Sequence, residues 1–413
     1  MEGNDVKLEE TIPDWRKNMI KNPYTPGAGT PPEYLAGRED VLKNAREAFV
    51  QLKLGGMASH TIYYGVRGVG KTVLLTEIEG IAKSEGCLYT QIECDEQFDF
   101  PKTIHIHCRQ FIKQLSLIKV IADKLDKVKA LLYSFKMTYS PTDSSVSFEL
   151  SDEVKAMYGN ADTGDMATDL ISLFTELGEL AKKAEKPICI FLDEIQAMNK
   201  DHLAAFIATI HRMNQLKLPI LVFGAGLPTI LRIAGDAKSY SERLFQFVEI
   251  SNLKYADAEK ALVEPAKKYA VSYEKYAIEY ILQVTGCYPY FIQQYGQTIW
   301  KLANRGQELT LEDAKTVYEE YIEKLNDSFY GVRFNRSTNA EKNFLFVMAQ
   351  IGKYPCAMSD VAKAMGKKQK SISPLRNNLI NKGLIYAPSF GEIDFTVPQF
   401  DLYLKRIEQQ GKA

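Results

Sequence analysis

Gly65-Val66-Arg67-Gly68-Val69-Gly70-Lys71-Thr72 is a complete G-x-x-x-x-G-K-[ST] segment, and the apolar stretch Thr61-Ile62-Tyr63-Tyr64 runs straight into it. Glycines at 65, 68 and 70 let the backbone turn its N–H groups inward, toward the α- and β-phosphates of a nucleoside triphosphate. The Lys71 ammonium reaches toward β/γ oxygens, and the Thr72 hydroxyl is a ligand for Mg²⁺. Val73-Leu74-Leu75-Thr76-Glu77-Ile78 continues as a helix whose N-terminal dipole faces the same anion. Residues 65–73 are therefore the candidate phosphate-binding set. A coincidental glycine-rich turn lacks this strand before and helix after.

Working outward, Cys87-Leu88-Tyr89-Thr90-Gln91-Ile92-Glu93 reads as a second buried strand. Ile188-Cys189-Ile190-Phe191-Leu192, bounded by Pro187 and Asp193, reads as a central parallel strand buried on both faces. Pro219-Ile220-Leu221-Val222-Phe223 is the next strand and Phe247-Val248-Glu249-Ile250 follows. Helices are expected at 39–52, 109–132, 166–184 and 201–216. Repeated strand–helix units of this length predict an α/β fold with a doubly wound parallel sheet. Phe135-Lys136-Met137-Thr138-Tyr139 and Val146-Ser147-Phe148-Glu149-Leu150 read as a hairpin inserted near 135–165. Asn22 to Pro32, with four prolines and two glycines, is expected as an extended strap.

Residues 254–326 read as four helices, a helical lid. The last 80 residues read as a winged helix: a helix Met358–Met365 capped by Ser359, a turn at 366–370, a second helix Ser371–Lys382, and a two-stranded wing from Leu384-Ile385-Tyr386 and Ile393–Val397. The resulting division is an arm and strap over 1–36, a phosphate-loop core over 37–252, the lid over 253–330 and the winged helix over 331–413.

The strand 188–192 ends in Asp193-Glu194. At the carboxyl end of a strand beside a phosphate loop, Asp193 is placed to bind Mg²⁺ with Thr72, and Glu194 to polarise the attacking water. A strand ending in a solvated acidic turn is the plainer reading of those two residues alone. Hydrolysis also calls for a cation near the γ-phosphate, and Arg243, within Ser239–Phe245, is the candidate, delivered from a neighbouring subunit of a homo-oligomer. A structural ion pair of Arg243 with Glu242 or Glu249 is the competing reading.

Composition is that of an ordinary globular chain: 413 residues, 46% hydrophobic, 25% charged, net charge −1. No apolar run approaches the roughly 20 residues a membrane span needs, and the N-terminus is too polar for a signal peptide, so a cytoplasmic protein without membrane contact is expected. The six cysteines are scattered without a C-x-x-C pair. His105-Ile106-His107-Cys108 with Cys94 can be drawn as a metal cluster, but alternation along a short strand explains it as well. From Arg333 onward 13 Lys/Arg face 6 Asp/Glu, leaving −8 for the rest of the chain. Such asymmetry suggests a polyanion contact. Lys367, Lys368, Lys370, Ser371, Ser373, Arg376 and Asn377 cluster where winged helices enter a major groove.

Taken together, the phosphate loop, Gly37-Arg38-Glu39, Asp193-Glu194-Ile195-Gln196, Gly224-Ala225-Gly226-Leu227-Pro228, Ser239–Phe245 and Phe395-Thr396-Val397-Pro398-Gln399-Phe400-Asp401 resemble an AAA+ ATPase of the initiator-like clade. More closely, they resemble archaeal and bacterial ATPases allied to the STAND class. The resemblance implies ATP and Mg²⁺ as cofactors and ATP hydrolysis as the activity. Two departures stand out. Gly224-Ala225-Gly226 lacks the polar sensor residue such proteins carry at the end of that strand. Pro289, in Thr285-Gly286-Cys287-Tyr288-Pro289, stands about where a second-sensor arginine is expected, and resembles the G-x-x-P lid motif of STAND ATPases, whose backbone packs by the nucleotide. These imply slow hydrolysis and a switch, with the nucleotide state controlling a winged helix on double-stranded DNA. A scaffold in which the winged helix docks a protein, or braces the ATPase core, is the alternative. A small-molecule kinase is disfavoured because the carboxylate pair and lid suit water as acceptor.

Overall fold

The computed structural model describes residues 20–95, 97–118, 125–141, 161–304 and 306–411. The chain forms two compact units, one from residues 38–251 with 333–413, the other from residues up to 37 with 252–332.

In the first unit, α1 (Glu39–Lys53) precedes β1 (His60–Tyr64), α2 (Lys71–Ser84) and β2 (Leu88–Glu93). After α3 (Phe100–Leu115), α4 (Leu125–Tyr139) and α5 (Met166–Lys183) come β3 (Ile188–Asp193), α6 (Lys200–Gln215), β4 (Ile220–Gly226), α7 (Ile230–Ala237), α8 (Ser241–Leu244) and β5 (Phe245–Glu249). The five strands are ordered β2-β3-β4-β1-β5, and every neighbouring pair is parallel. This is the P-loop α/β fold. Parallel strands need covered faces, and the side-chain alternation supplies both. Ile188, Ile190 and Leu192 of β3 and Ile220 and Val222 of β4 enter one core with Phe100, Phe111, Leu131, Phe135, Phe174 and Phe206. On the opposite face Phe191, Phe223 and Tyr63 stack at ring separations of 5.5 and 6.4 Å, and Phe49 of α1 packs onto Phe223.

Several readings from sequence need correction. Phe135–Tyr139, expected as a hairpin strand, closes α4 instead. Val128, Leu131, Leu132 and Phe135 recur at helical spacing and are buried, so the 3.6 period prevails over a five-residue alternation. Val146–Leu150 lies outside the described residues. His105 to Cys108 belong to α3, not to a strand: Asp99 caps the helix through the Lys102 amide at 3.0 Å, and Ile104, Cys108, Phe111 and Leu115 form its buried stripe. The helix from 109 to 132 is thus two helices. Among the described residues no three or more His, Cys, Asp or Glu side chains gather as a metal cluster.

In the second unit the strap residues 20–37 form neither helix nor strand. Tyr24 is buried, donates to the Leu262 carbonyl, and lies 2.8 Å from the Tyr273 hydroxyl. Gly296 makes room for its ring, since a Cβ there would sit 2.4 Å from Tyr24. Around it stand α9 (Tyr255–Lys267), α10 (Lys275–Thr285), α11 (Pro289–Ile299), α12 (Leu311–Thr316) and α13 (Tyr318–Leu325), with a parallel pair β6 (Ser272–Tyr273) and β7 (Glu308–Leu309) that was not anticipated.

The 333–413 segment holds α14 (Asn339–Ile351), β8 (Cys356–Ala357), α15 (Met358–Ala364), α16 (Gln369–Asn381), β9 (Ile385–Tyr386), β10 (Glu392–Phe395) and α17 (Phe400–Gln409), with an antiparallel sheet ordered β8-β10-β9. Ser359 does not cap α15. The cap position is Ala357, because β8 pairs with β10 up to that residue and the helix starts at once. Lys382 joins the end of α16 to the start of α14, donating to the Arg336 carbonyl at 2.9 Å and to Glu341 Oε2 at 2.6 Å. Burial alone would raise the Glu341 carboxyl, but the bonds from Lys382 and the Thr338 amide hold it below the usual range. No helix among the described residues is long and apolar enough to cross a membrane.

Candidate functional site

β1 lies between β4 and the edge strand β5, so the loop 65–70 leaves its carboxyl end with a strand on either side. Gly65 donates to the Gly226 carbonyl at 3.2 Å. A Cβ at Gly65 would stand 2.1 Å from the Ile250 carbonyl oxygen, so no other residue fits where the loop leaves the sheet. Gly70 caps α2 with a left-handed backbone (φ 91°), a conformation open to glycine. The first turn of α2 carries no acidic residue, which leaves its positive end uncompensated.

Lys71 is 7% exposed and donates to the carbonyls of Gly65 at 3.0 Å and Val66 at 2.9 Å. Burial pushes its ammonium down to about 8, against the pull of Glu194 and Asp193. Thr72 Oγ1 donates to Asp193 Oδ2 at 2.6 Å across 121 positions of sequence. Asp193 is 4% exposed, and its other oxygen accepts the Glu194 amide at 2.8 Å. Burial raises its carboxyl, although the bonds from Thr72 and Glu194 oppose this. A hydroxyl and a carboxylate meeting in a buried position are hard oxygen donors of the kind Mg²⁺ takes, so the residues present fit that ion.

Glu194 follows with a left-handed backbone (φ 49°), unusual for a residue with a side chain. Its Oε1 lies 3.7 Å from Arg67 and its Oε2 accepts from the Gln196 amide. Arg67 in turn donates its backbone N–H to the Thr396 carbonyl at 3.1 Å, and its guanidinium lies where a Cβ on Gly383 would be 2.7 Å away. The loop's third residue is therefore held by the segment 383–396. Arg38 grips the loop from the other side, donating to the Val69 carbonyl at 3.2 Å and the Ser251 carbonyl at 2.9 Å. The sequence flagged Arg38 only as part of a family motif, and gave Gln196 and Thr396 no role in the site.

The structure brings Lys71, Thr72, Asp193, Glu194 and Arg67 together. It leaves the other candidates elsewhere. Arg243 is exposed on the single turn α8 and makes no ion pair with Glu242 or Glu249 among the described residues. Pro289 is the first residue of α11, in the other compact unit. Lys367, Lys368 and Lys370 are exposed at the start of α16, while the Ser371 and Ser373 hydroxyls donate to the Lys368 and Gln369 carbonyls at 2.7 and 3.0 Å. Arg376 is half-buried and donates to Asn377 Oδ1 at 3.2 Å; burial and nearby Arg232 lower its guanidinium from the usual value.

Comparison with known proteins agrees with this geometry. Residues 34–223 match the family described as the AAA ATPase domain, and residues 327–404 match a domain of unknown function. No curated protein matches the chain. Among solved structures, the Walker-type ATPase PABY2304 of Pyrococcus abyssi aligns over 91% of this chain and 97% of its own, at 13% identity and a TM-score of 0.57, which shows a shared fold. The Thermotoga maritima RuvB Holliday junction branch migration motor aligns over 92% and 96% at 15% identity and 0.43. The Aeropyrum pernix ORC1 protein in complex with DNA aligns over 92% and 94% at 13% and 0.41. The match to the AAA ATPase domain therefore covers 34–223, the part of the chain that carries the loop and the acid-ended strand.

Proposed function

We propose that this AAA ATPase domain binds ATP with Mg²⁺, hydrolyses it slowly, and uses the two nucleotide states to control the 333–413 segment, a winged helix that binds double-stranded DNA. The observation that carries the reading is the 2.6 Å contact between Thr72 and Asp193. Buried charge is costly unless it serves a partner, and here a lysine, an aspartate and a hydroxyl converge on one loop.

In this reading the loop amides of 65–73 and the positive end of α2 cradle the phosphates. Lys71 exchanges its two carbonyl acceptors for β/γ oxygens. Thr72 and Asp193 would hold Mg²⁺, which when bound would supply charge neutralisation. Glu194 accepts the proton of the attacking water while its carboxylate is held in place. Arg243, exposed and without an ion pair among the described residues, is available to a neighbouring subunit's nucleotide. Glu194→Gln tests the role of Glu194: ATP affinity stays within about threefold while turnover falls by at least about 100-fold. Turnover at the parental rate in that variant removes Glu194 from the mechanism.

DNA binding is supported by the exposed Lys367, Lys368 and Lys370, which make no ion pair among the described residues, and by the positive surplus of the segment. Its signature is a steep fall of log affinity with log salt, about 0.9 per neutralised phosphate. A second reading has its own support: the Arg67 to Thr396 bond and the half-buried Arg376 suit a segment that braces the core and presents a surface to a protein partner. A random duplex titrated at 50 and 200 mM salt decides between them, since salt-independent or absent binding leaves the protein-partner reading.

A further inference from the structure

The strand β4 ends in Gly224-Ala225-Gly226, with no polar side chain of its own. A polar group nevertheless stands there. A Cβ built on Gly226 would lie 2.6 Å from Oε1 of Gln196, so the glycine is the gap into which that amide fits. Gln196 sits in the 3-10 turn Ile195–Ala197 directly after Glu194, and the left-handed backbone of Glu194 is what folds the chain back toward β4.

Both ends of the amide are engaged. Oε1 accepts from the Leu227 backbone N–H at 2.9 Å, and Nε2 donates to Oε2 of Glu194. Because a backbone N–H can only donate, the atom facing Leu227 must be the oxygen. The nitrogen then faces the carboxylate, so the orientation of the amide is fixed by its partners. With Arg67 on Oε1, the Glu194 carboxylate is gripped on both oxygens.

We propose that Gln196 is a positioning residue for ATP hydrolysis, tying the Glu194 carboxylate to the end of β4 and standing in for the polar side chain that β4 lacks. The proposal rests on the assignment of Glu194 to water activation. A base displaced by about 1 Å from its working position can lose on the order of 100-fold in rate, whereas phosphate binding does not pass through this amide. The signature is therefore a loss in kcat with ATP affinity retained.

The test uses the full chain and five proteins: the parent, Gln196→Met, Gly226→Ala, the double variant and Glu194→Gln. Methionine keeps the length and bulk of the side chain and removes both hydrogen bonds. Gly226→Ala pushes the amide aside without touching Glu194, because the atom its methyl meets first is the far end of a flexible side chain; Ile195 Cγ2 at 3.1 Å must yield slightly. Gln196→Met is expected to lower kcat by about 10- to 100-fold, with ATP affinity by calorimetry within about threefold. Gly226→Ala is expected to lower kcat too, and to cost nothing further in the Gln196→Met background, since both act through one amide. Parental kcat in Gln196→Met, or a Gly226→Ala loss that multiplies undiminished in the double variant, overturns the proposal. If Glu194→Gln abolishes turnover and Gln196→Met keeps the parental kcat, the positioning role alone fails. A parent without turnover, or a Glu194→Gln variant as active as the parent, defeats the assignment of Glu194 and this proposal together.

Discussion

Two lysine-bearing regions of this molecule stand in contrast. At the phosphate loop, Lys71 is nearly inaccessible and hydrogen-bonded to two carbonyls, beside a buried aspartate. At the start of α16, Lys367, Lys368 and Lys370 stand in solvent without ion pairs among the described residues. A buried ammonium must be compensated by geometry, so its surroundings declare what it is for. An exposed one costs little anywhere, so its position alone declares much less. The difference explains why the contacts of the first region support a proposed role, while those of the second need a binding experiment even to suggest one.

The contrast can be broken or sharpened by measurement. The largest effect is expected from Lys71→Ala, which removes both the charge and the donors: ATP affinity by calorimetry should fall at least about 100-fold. Retained affinity would mean that the loop amides alone suffice and that burial of the lysine has another cause.

His60 tests burial of a titratable group that has no ligand role. Val222 donates its amide to Nδ1 at 3.1 Å, so the ring proton sits on Nε2, facing Asn214 Oδ1 at 3.0 Å. Protonation would set N–H against N–H. Burial accordingly pushes the ring down to about 4, the Asn214 bond opposing. Between pH 6.5 and 4 the unfolded chain takes up a proton that the folded chain refuses, so stability drops as pH falls through that window, by up to about 3 kcal/mol. Chemical denaturation at pH 7 and pH 4.5 measures the fall, and His60→Gln should flatten part of it. An identical slope in the variant would show that other groups carry the acid sensitivity.

Smaller again is Lys382→Ala. Glu341 is 1% exposed and would keep its Thr338 bonds but lose its cation. About 2 kcal/mol of stability should go, less than a fully enclosed pair would cost because Lys382 itself is partly solvated. The denaturation midpoint at pH 7 reads it. The smallest effect is expected from replacing Lys367, Lys368 and Lys370 together with alanine, which should move stability by under about 0.5 kcal/mol per site. A loss comparable with that of Lys382→Ala would place those side chains in contacts of their own and close the gap between the two regions.

How far the sequence could be read depended on how local the signal was. Strand β3 was legible because five consecutive apolar residues end in a carboxylate pair, a pattern that few other elements produce. The strand expected at Phe135–Tyr139 was wrong because a window of five residues shows alternation, whereas the helical stripe that governs it begins ten residues earlier at Leu125. The apparent His105–Cys108 metal cluster dissolved for a similar reason, since the helix carrying it starts at Phe100 and turns His107 away from the buried face that holds His105 and Cys108. In the site, Lys71, Thr72, Asp193 and Glu194 were all named in advance. Gln196 was quoted only as part of a motif, and nothing in its neighbourhood of sequence marks it as the partner of Leu227.

The sequence by itself determined the phosphate loop, the acid-ended strand and the glycines between them, because their chemistry is written in contiguous residues whose backbone conformation each must satisfy. Only the tertiary structure decided what holds that machinery in place: Arg38 on Val69, Gln196 on Leu227, Arg67 on Thr396. These bonds end on backbone atoms, which every residue possesses, and they join positions from tens to hundreds of residues apart. No side-chain pattern encodes such an acceptor, so it becomes visible when the sheet brings the partners together.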